Sequence, residues 1–283
     1  MIRRPPRSTL SPSSAASDVY KRQVSDLGLN VDFPVIHITH VQFTGYAGDS
    51  WATLRSGGEE IAKYVNNHKH VSLDLGQVIF GDSTTMTADA PFEFVLHHLA
   101  PGKWTSADVE AETSSGIVPY KYKKKNLVNT VQWCIGLEVA LLVKDPWRIF
   151  PTTDHPNAGP FTSYPTVLSW LISKKAREKM FEQVNRRGLR RTALPAIDRE
   201  YDLYEIAIVT RAAGAKILGL EDKVGSIEEG KLANLVFIDF TMDNLAFSHN
   251  ILASLMVRGR PENIKIVLVE GKKVLDRVGL LKG

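Results

Sequence analysis

From residue 34 onward the chain alternates between short apolar runs and longer segments in which apolar residues recur every three or four positions. The run PVIHITHV at 34–41 is short and β-branched, the pattern of a buried strand. It opens into a polar loop at 42–49 that contains Gly45 and Gly48. From 50 to 66, Trp51, Leu54, Ile61 and Tyr64 fall on one helical face. HVSLDLGQVIF at 70–80 predicts the next strand. An irregular stretch rich in Thr, Ser, Asp and Gly is expected over 81–126. A strongly apolar helix follows at 127–143, and then a strand at 147–153 that ends on Asp154. Paired helices are expected at 164–187, and another at 203–218 with Ile206, Val209, Ala213 and Ile217 on one face. This order implies parallel βα units and an α/β fold. After Gly225 the pattern changes to short strands at 235–239, 264–269 and 272–275, the last two joined by the Glu270-Gly271 turn.

Charge is unevenly placed. Of the 35 basic and 31 acidic side chains, residues 1–23 hold Arg3, Arg4, Arg7, Lys21 and Arg22 against Asp18 alone, which leaves 30 of each sign in the rest of the chain. The pI near 9.0 therefore belongs to the leader, and the body carries no excess charge to attract phosphate, so no nucleic-acid partner is expected. The leader is rich in Ser and Pro and lacks the apolar stretch of a secretory signal. A transit peptide is one reading. The segment more closely resembles translated sequencing-adapter read-through, and it is set aside as a non-native, disordered leader, which implies that an upstream part of the gene is missing. The single cysteine, Cys134, excludes an internal disulfide and a cysteine-based zinc site, and fits a cytoplasmic location. No run approaches the roughly 18 apolar residues of a membrane span, so no membrane partner is expected.

Two clusters carry candidate chemistry. Side chains alternate across a strand, so His37 and His40 are expected on opposite faces, with His40 nearer the C-terminal end. Catalytic groups in α/β barrels collect at C-terminal strand ends, and neutral imidazole is the commonest metal ligand. The plainer account is a pair of core or hydrogen-bonded histidines. Asp154 closes an apolar strand within TTDHPN, where a buried carboxylate needs a partner. The plainer account there is a turn cap. Taken together, a His and an Asp at successive strand ends match a hydrolytic metal site, where the Asp takes a proton from water and passes it to a leaving nitrogen. His97, His98, His249, the lysines 123–125, the buried-helix Glu138 and the 84–89 stretch are weaker candidates.

The string GSIEEGKLANLVFID at 225–239 resembles the return strand of the amidohydrolase superfamily, with Asn234 in place of the usual aspartate. Residues 212–220 resemble the helix before it, and VLVEGKKV at 267–274 a later sandwich strand. Upstream, the strings at 37–43, 84–91, 131–138 and 152–165 resemble the A subunits of formylmethanofuran dehydrogenases and formyltransferase/hydrolase complexes, over nearly all of 24–283. The resemblance implies the second half of a (β/α)8 TIM barrel over 24–223, with strands of a small composite β-sandwich over 224–283. It implies a binuclear Zn2+ site in which His40 binds metal, and Asp154 binds metal and shuttles the proton. His155 and Asn157 are placed at the substrate. The implied reaction interconverts formylmethanofuran with formate and methanofuran, in a complex with further subunits.

The family's His-x-His pair, carboxylated lysine and strand-five histidine are not present, so an open barrel with about three of eight strands, inactive by itself, is expected. Two ligands do not hold a zinc that normally takes four. The alternatives are a dihydropyrimidinase- or dihydroorotase-like cyclic amidohydrolase and a non-catalytic scaffold subunit.

Overall fold

The computed structural model describes residues 36–50, 52–87, 116–239 and 261–279. The leader, Trp51, His97, His98 and His249 lie outside the described residues. Strand β1 (Ile36–Ile38), β4 (Val71–Asp74) and β7 (Ile149–Phe150) form a parallel sheet in that order. The register pairs Ile38 with Leu73 on one side and Leu73 with Ile149 on the other. As the central strand, β4 is buried at all four positions, as expected for a parallel strand covered on both faces. The helices Gly58–Asn67 and Leu127–Leu142 supply the two crossovers. Among the described residues the sheet does not close into a barrel.

The helix Leu127–Leu142 begins where Asn126 accepts a hydrogen bond from the Asn129 amide, a cap that meets one orphan donor of the first turn. Trp133, Ile135, Leu137 and Leu141 pack with Leu73, Leu75, Ile149 and Leu171 in one core. Each fully buried aliphatic side chain of this set contributes roughly 1.5–3 kcal/mol. A second, antiparallel sheet has the order β10 (Lys272–Asp276), β9 (Ile264–Val269), β8 (Leu235–Ile238).

Four expectations are corrected. The stretch read as irregular holds β5 (Gly81–Thr87) paired antiparallel with β6 (Gly116–Tyr122). Its Thr- and Ser-rich composition hid a polar strand from a hydrophobicity criterion. The helix expected from residue 50 starts at Gly58, because β2 (Tyr46–Ala47) and β3 (Arg55–Ser56) occupy the preceding loop as a small hairpin. The strand read at 147–153 keeps only two residues between Pro146 and Pro151, since proline has no amide hydrogen for the ladder. The helix read at 203–218 is interrupted by a π-turn at Ile208–Ala212.

Glu138 lies within the apolar helix and is fully buried. Its carboxylate accepts hydrogen bonds from the Ser56 hydroxyl and from the Leu194 amide at 3.0 Å. Ser56 in turn accepts from the Gly58 amide at 3.0 Å, tying the start of one helix to the middle of another. Burial raises the Glu138 carboxyl from the usual 4.5 to about 7, against the hydrogen bonds that lower it. A raised folded-state value means the folded chain holds the proton more tightly. The stabilisation is full below pH 4.5 and is lost as pH rises through 7. The swing is on the order of 3 kcal/mol. Melting temperature is expected to fall across that window in the wild type, and Glu138→Gln is expected to flatten the fall. Equal slopes for the two proteins would remove Glu138 as its source.

Candidate functional site

The C-terminal ends of the three parallel strands converge. After β1 the backbone turns at His40, which takes the left-handed conformation (φ 51°, ψ 53°) at the start of a 3-10 turn, Val41–Phe43. Across the sheet, the chain leaving β7 turns at Asp154, also left-handed (φ 43°). Among the described residues the non-glycine positions with positive φ are His40, Asp154 and Glu270. Such backbone costs of order 1 kcal/mol or more and persists where surrounding contacts impose it. Two of the three face each other, with His40 Nδ1 3.5 Å from Asp154 Oδ2.

Asp74 is the last residue of β4, the strand between β1 and β7. Its carboxylate side chain is 4% exposed. Oδ2 accepts from His37 Nε2 at 2.9 Å. Oδ1 accepts from the His40 amide at 3.2 Å and from the Thr152 hydroxyl. Thr152 also accepts from the Gly76 amide at 2.8 Å. His37 is held from its other nitrogen by Ser72 Oγ at 3.0 Å and stacks on Phe150 with ring centroids 5.2 Å apart. The expected opposition of His37 and His40 is therefore corrected. His37 obeys the alternation of β1, but His40 has already left the strand, so both reach the same carboxylate.

The loop after Asp154 is braced from two directions. Asn157 Nδ2 donates to both Asp154 carboxylate oxygens at 3.3 Å. Asn157 Oδ1 accepts from Thr84 Oγ1 at 2.7 Å, and Ser83 Oγ donates to the Asn157 carbonyl at 2.8 Å. Strand β5 thus fixes the loop that carries Asp154. His155 stands apart from this network. Its Nδ1 accepts from the Phe161 amide at 3.3 Å, and its ring meets the exposed Phe161 edge-on at 5.5 Å. Burial pushes the Asp154 carboxyl above its usual range, with Asp74 adding to the rise and His40 and Asn157 opposing it.

A tetrahedral zinc with ligand bonds of roughly 2.1 Å sets neighbouring donors about 3.4 Å apart. The His40–Asp154 separation of 3.5 Å fits two vertices of that geometry. Among the described residues no group of three or more His, Cys, Asp or Glu side chains surrounds one point. The structure brings the two expected residues, His40 and Asp154, together, and adds Asp74 and Thr152, which the sequence reading did not single out. The available signal was a charged residue inside the apolar run at 70–80, which has to be partnered if that run is a buried strand.

Gly76, two residues after Asp74, has φ +58°, and a Cβ there would lie 2.7 Å from His40 Cβ. Gly76→Ala is expected to destabilise the fold by about 1–3 kcal/mol, from left-handed strain and displacement of His40. Gly214→Ala, at a helical position with open space around it, is expected to be neutral or stabilising. Paired melting curves of the two variants check the contrast.

A profile for the amidohydrolase family matches residues 9–274. Protein FwdA of Methanocaldococcus jannaschii is 48% identical over 198 residues, covering 70% of this chain and 35% of that protein. The A subunit of the formyltransferase/hydrolase complex Fhc of Methylorubrum extorquens is 36% identical over 247 residues, covering 85% of this chain and 42% of that protein. The crystal structure of the FhcABCD complex from Methylorubrum extorquens with methylofuran superposes with a TM-score of 0.71 at 32% identity, covering 94% of this chain and 46% of that one. The chain thus spans less than half the length of the relatives it matches.

Proposed function

This chain belongs to the amidohydrolase family, and we propose that it forms part of the A subunit of a formyltransferase/hydrolase or formylmethanofuran dehydrogenase complex, acting on the amide C–N bond of formylmethanofuran in the cytoplasm. The observation that carries the reading is the convergence of His40 and Asp154, both in left-handed backbone, to 3.5 Å at the ends of parallel strands. Similarity to FwdA and to the Fhc A subunit supports the choice of complex and of the partner subunits.

In this reading residues 24–223 belong to the barrel and 224–283 to the sandwich strands. His40 and Asp154 are metal ligands, the remaining ligands coming from the rest of the whole protein. Bound Zn2+ supplies the acidity that lowers the pKa of water toward about 7. Asp154 would accept a proton from the attacking water and deliver it to the amide nitrogen as the C–N bond breaks. The water oxygen ends in formate, and methanofuran leaves as the amine. Asn157 orients Asp154, and His155 with Phe161 forms a rim for the substrate. The reverse condensation uses the same groups.

The test uses the whole protein purified with its neighbouring subunits. The wild type is expected to hold about two zinc ions per chain and to release formate from formylmethanofuran, and Asp154→Asn to lower that release by roughly 100-fold or more. A whole protein that carries no metal and releases no formate would leave the scaffold role as the better account.

A further inference from the structure

We infer that the basic surface formed by Lys123, Lys124, Lys125, Arg186, Arg187 and Arg190 is the docking face for an acidic polypeptide surface on a neighbouring subunit. This rests on the proposed place of the chain in a multi-subunit complex and is independent of the metal site. All six side chains are exposed except Lys124, which is half-buried. No acidic residue occurs between 119 and 137 or between 183 and 197. Among the described residues none of the six stands in an ion pair. Lys124 Nζ donates to the neutral Gln183 Oε1 at 2.6 Å. Elsewhere the surface cations Arg55, Lys121 and Lys174 face Glu60, Asp82 and Asp198. Beyond the leader the chain balances its charges, so the patch is a local excess and not general basicity.

The two basic stretches are clamped side by side by polar contacts. Thr130, fully buried, donates to the Lys124 carbonyl at 3.0 Å and accepts from the Asn185 amide at 3.1 Å. Asn185 Nδ2 donates to the Lys125 carbonyl at 2.8 Å, and Asn129 Oδ1 accepts from the Lys123 amide at 3.0 Å. Gly188 permits the approach, since a Cβ there would lie 2.9 Å from the Leu127 carbonyl oxygen. Crowding like charges on this frame opposes the folding of the chain by itself. Their placement opposes it too. Lys123, Lys124 and Lys125 precede the start of the 16-residue helix Leu127–Leu142, and Arg186 and Arg187 open the short helix Arg186–Leu189. Cations are disfavoured at helix starts, and neither helix has an acid in its first turn. A fixed set of such charges is relieved by a partner of opposite sign. The guanidinium forks of the three arginines match carboxylates in pairs of parallel hydrogen bonds. A polyphosphate chain is the poorer fit, because the body has no wider positive field to carry it. The helix Leu127–Leu142 returns from the C-terminal edge of the parallel sheet, so the docked subunit would stand on the same edge as His40 and Asp154.

The experiment measures the rate at which the whole protein associates with its separately purified neighbouring subunits, at several salt concentrations. The wild type is expected to associate more slowly as salt rises. Arg186→Glu combined with Arg187→Glu is expected to slow association roughly 10-fold or more at low salt and to flatten the salt dependence. The melting temperature of the free variant is expected to stay level or rise, because carboxylates suit a helix start. A patch with only a structural role would not separate the two readouts in this way. Lys123→Glu combined with Lys125→Glu carries the test if the arginine variant fails to fold. Lys63→Glu combined with Lys69→Glu, exposed positions outside the patch, is expected to leave the rate unchanged. Wild-type association and salt dependence in the patch variants overturn the inference, as does equal slowing in the Lys63 and Lys69 control. Unchanged association with a raised KM also overturns it and moves the patch to the substrate. A wild type that joins no neighbouring subunit overturns the complex reading and the inference together.

Discussion

A carboxylate buried in the central strand of a parallel sheet is costly unless donors surround it. Asp74 is such a group, and its donors come from each neighbouring strand end. His37 and the His40 amide approach from the side of β1, and Thr152 from the side of β7. The sheet here is short, with β7 only two residues long, so backbone pairing alone gives little definition to its C-terminal edge. The Asp74 network continues where the ladder stops. Backbone bonds from Leu75 to Phe150, from Gln77 to Thr152 and from Gln42 to Leu75 run alongside it. The strained turn at His40 and the Thr152 segment that leads to Asp154 are thereby tied to one carboxylate. Removing that anion would leave two left-handed residues with less to hold them.

Much of this architecture was legible in the sequence because it depends on apolar periodicity. The runs at 34–41, 70–80 and 147–153 mark β1, β4 and β7, and their alternation with helices gave the parallel order observed. Periodicity failed where strands are polar, as in β5, whose Thr84 and Ser83 serve the Asp154 loop and not a core. It also overestimated strand length, since it does not register where a glycine such as Gly76 turns the chain out of the sheet. The resemblance to the A subunits of formylmethanofuran dehydrogenases, read from a few strings, agrees with the similarity to FwdA and to the Fhc A subunit.

The candidate site was legible in part. His40 and Asp154 stood out because charged or ligating residues at strand ends are conspicuous. The residue that organises them did not, because Asp74 sits inside an apolar run and its role exists only through contacts with residues 34 to 78 positions distant. The face assignment of His37 and His40 failed for a related reason. Alternation holds while the backbone is extended, and His40 is where it stops being extended. Sequence spacing reports which element a side chain belongs to, while the convergence of three strand ends is a property of the folded sheet.

The most direct measurement is anomalous diffraction at the zinc edge from crystals of the whole protein with its partner subunits. The account expects a zinc peak within roughly 2.0–2.2 Å of a donor atom from each of His40 and Asp154. A peak ligated by neither residue, or no peak in protein that still releases formate, would contradict it.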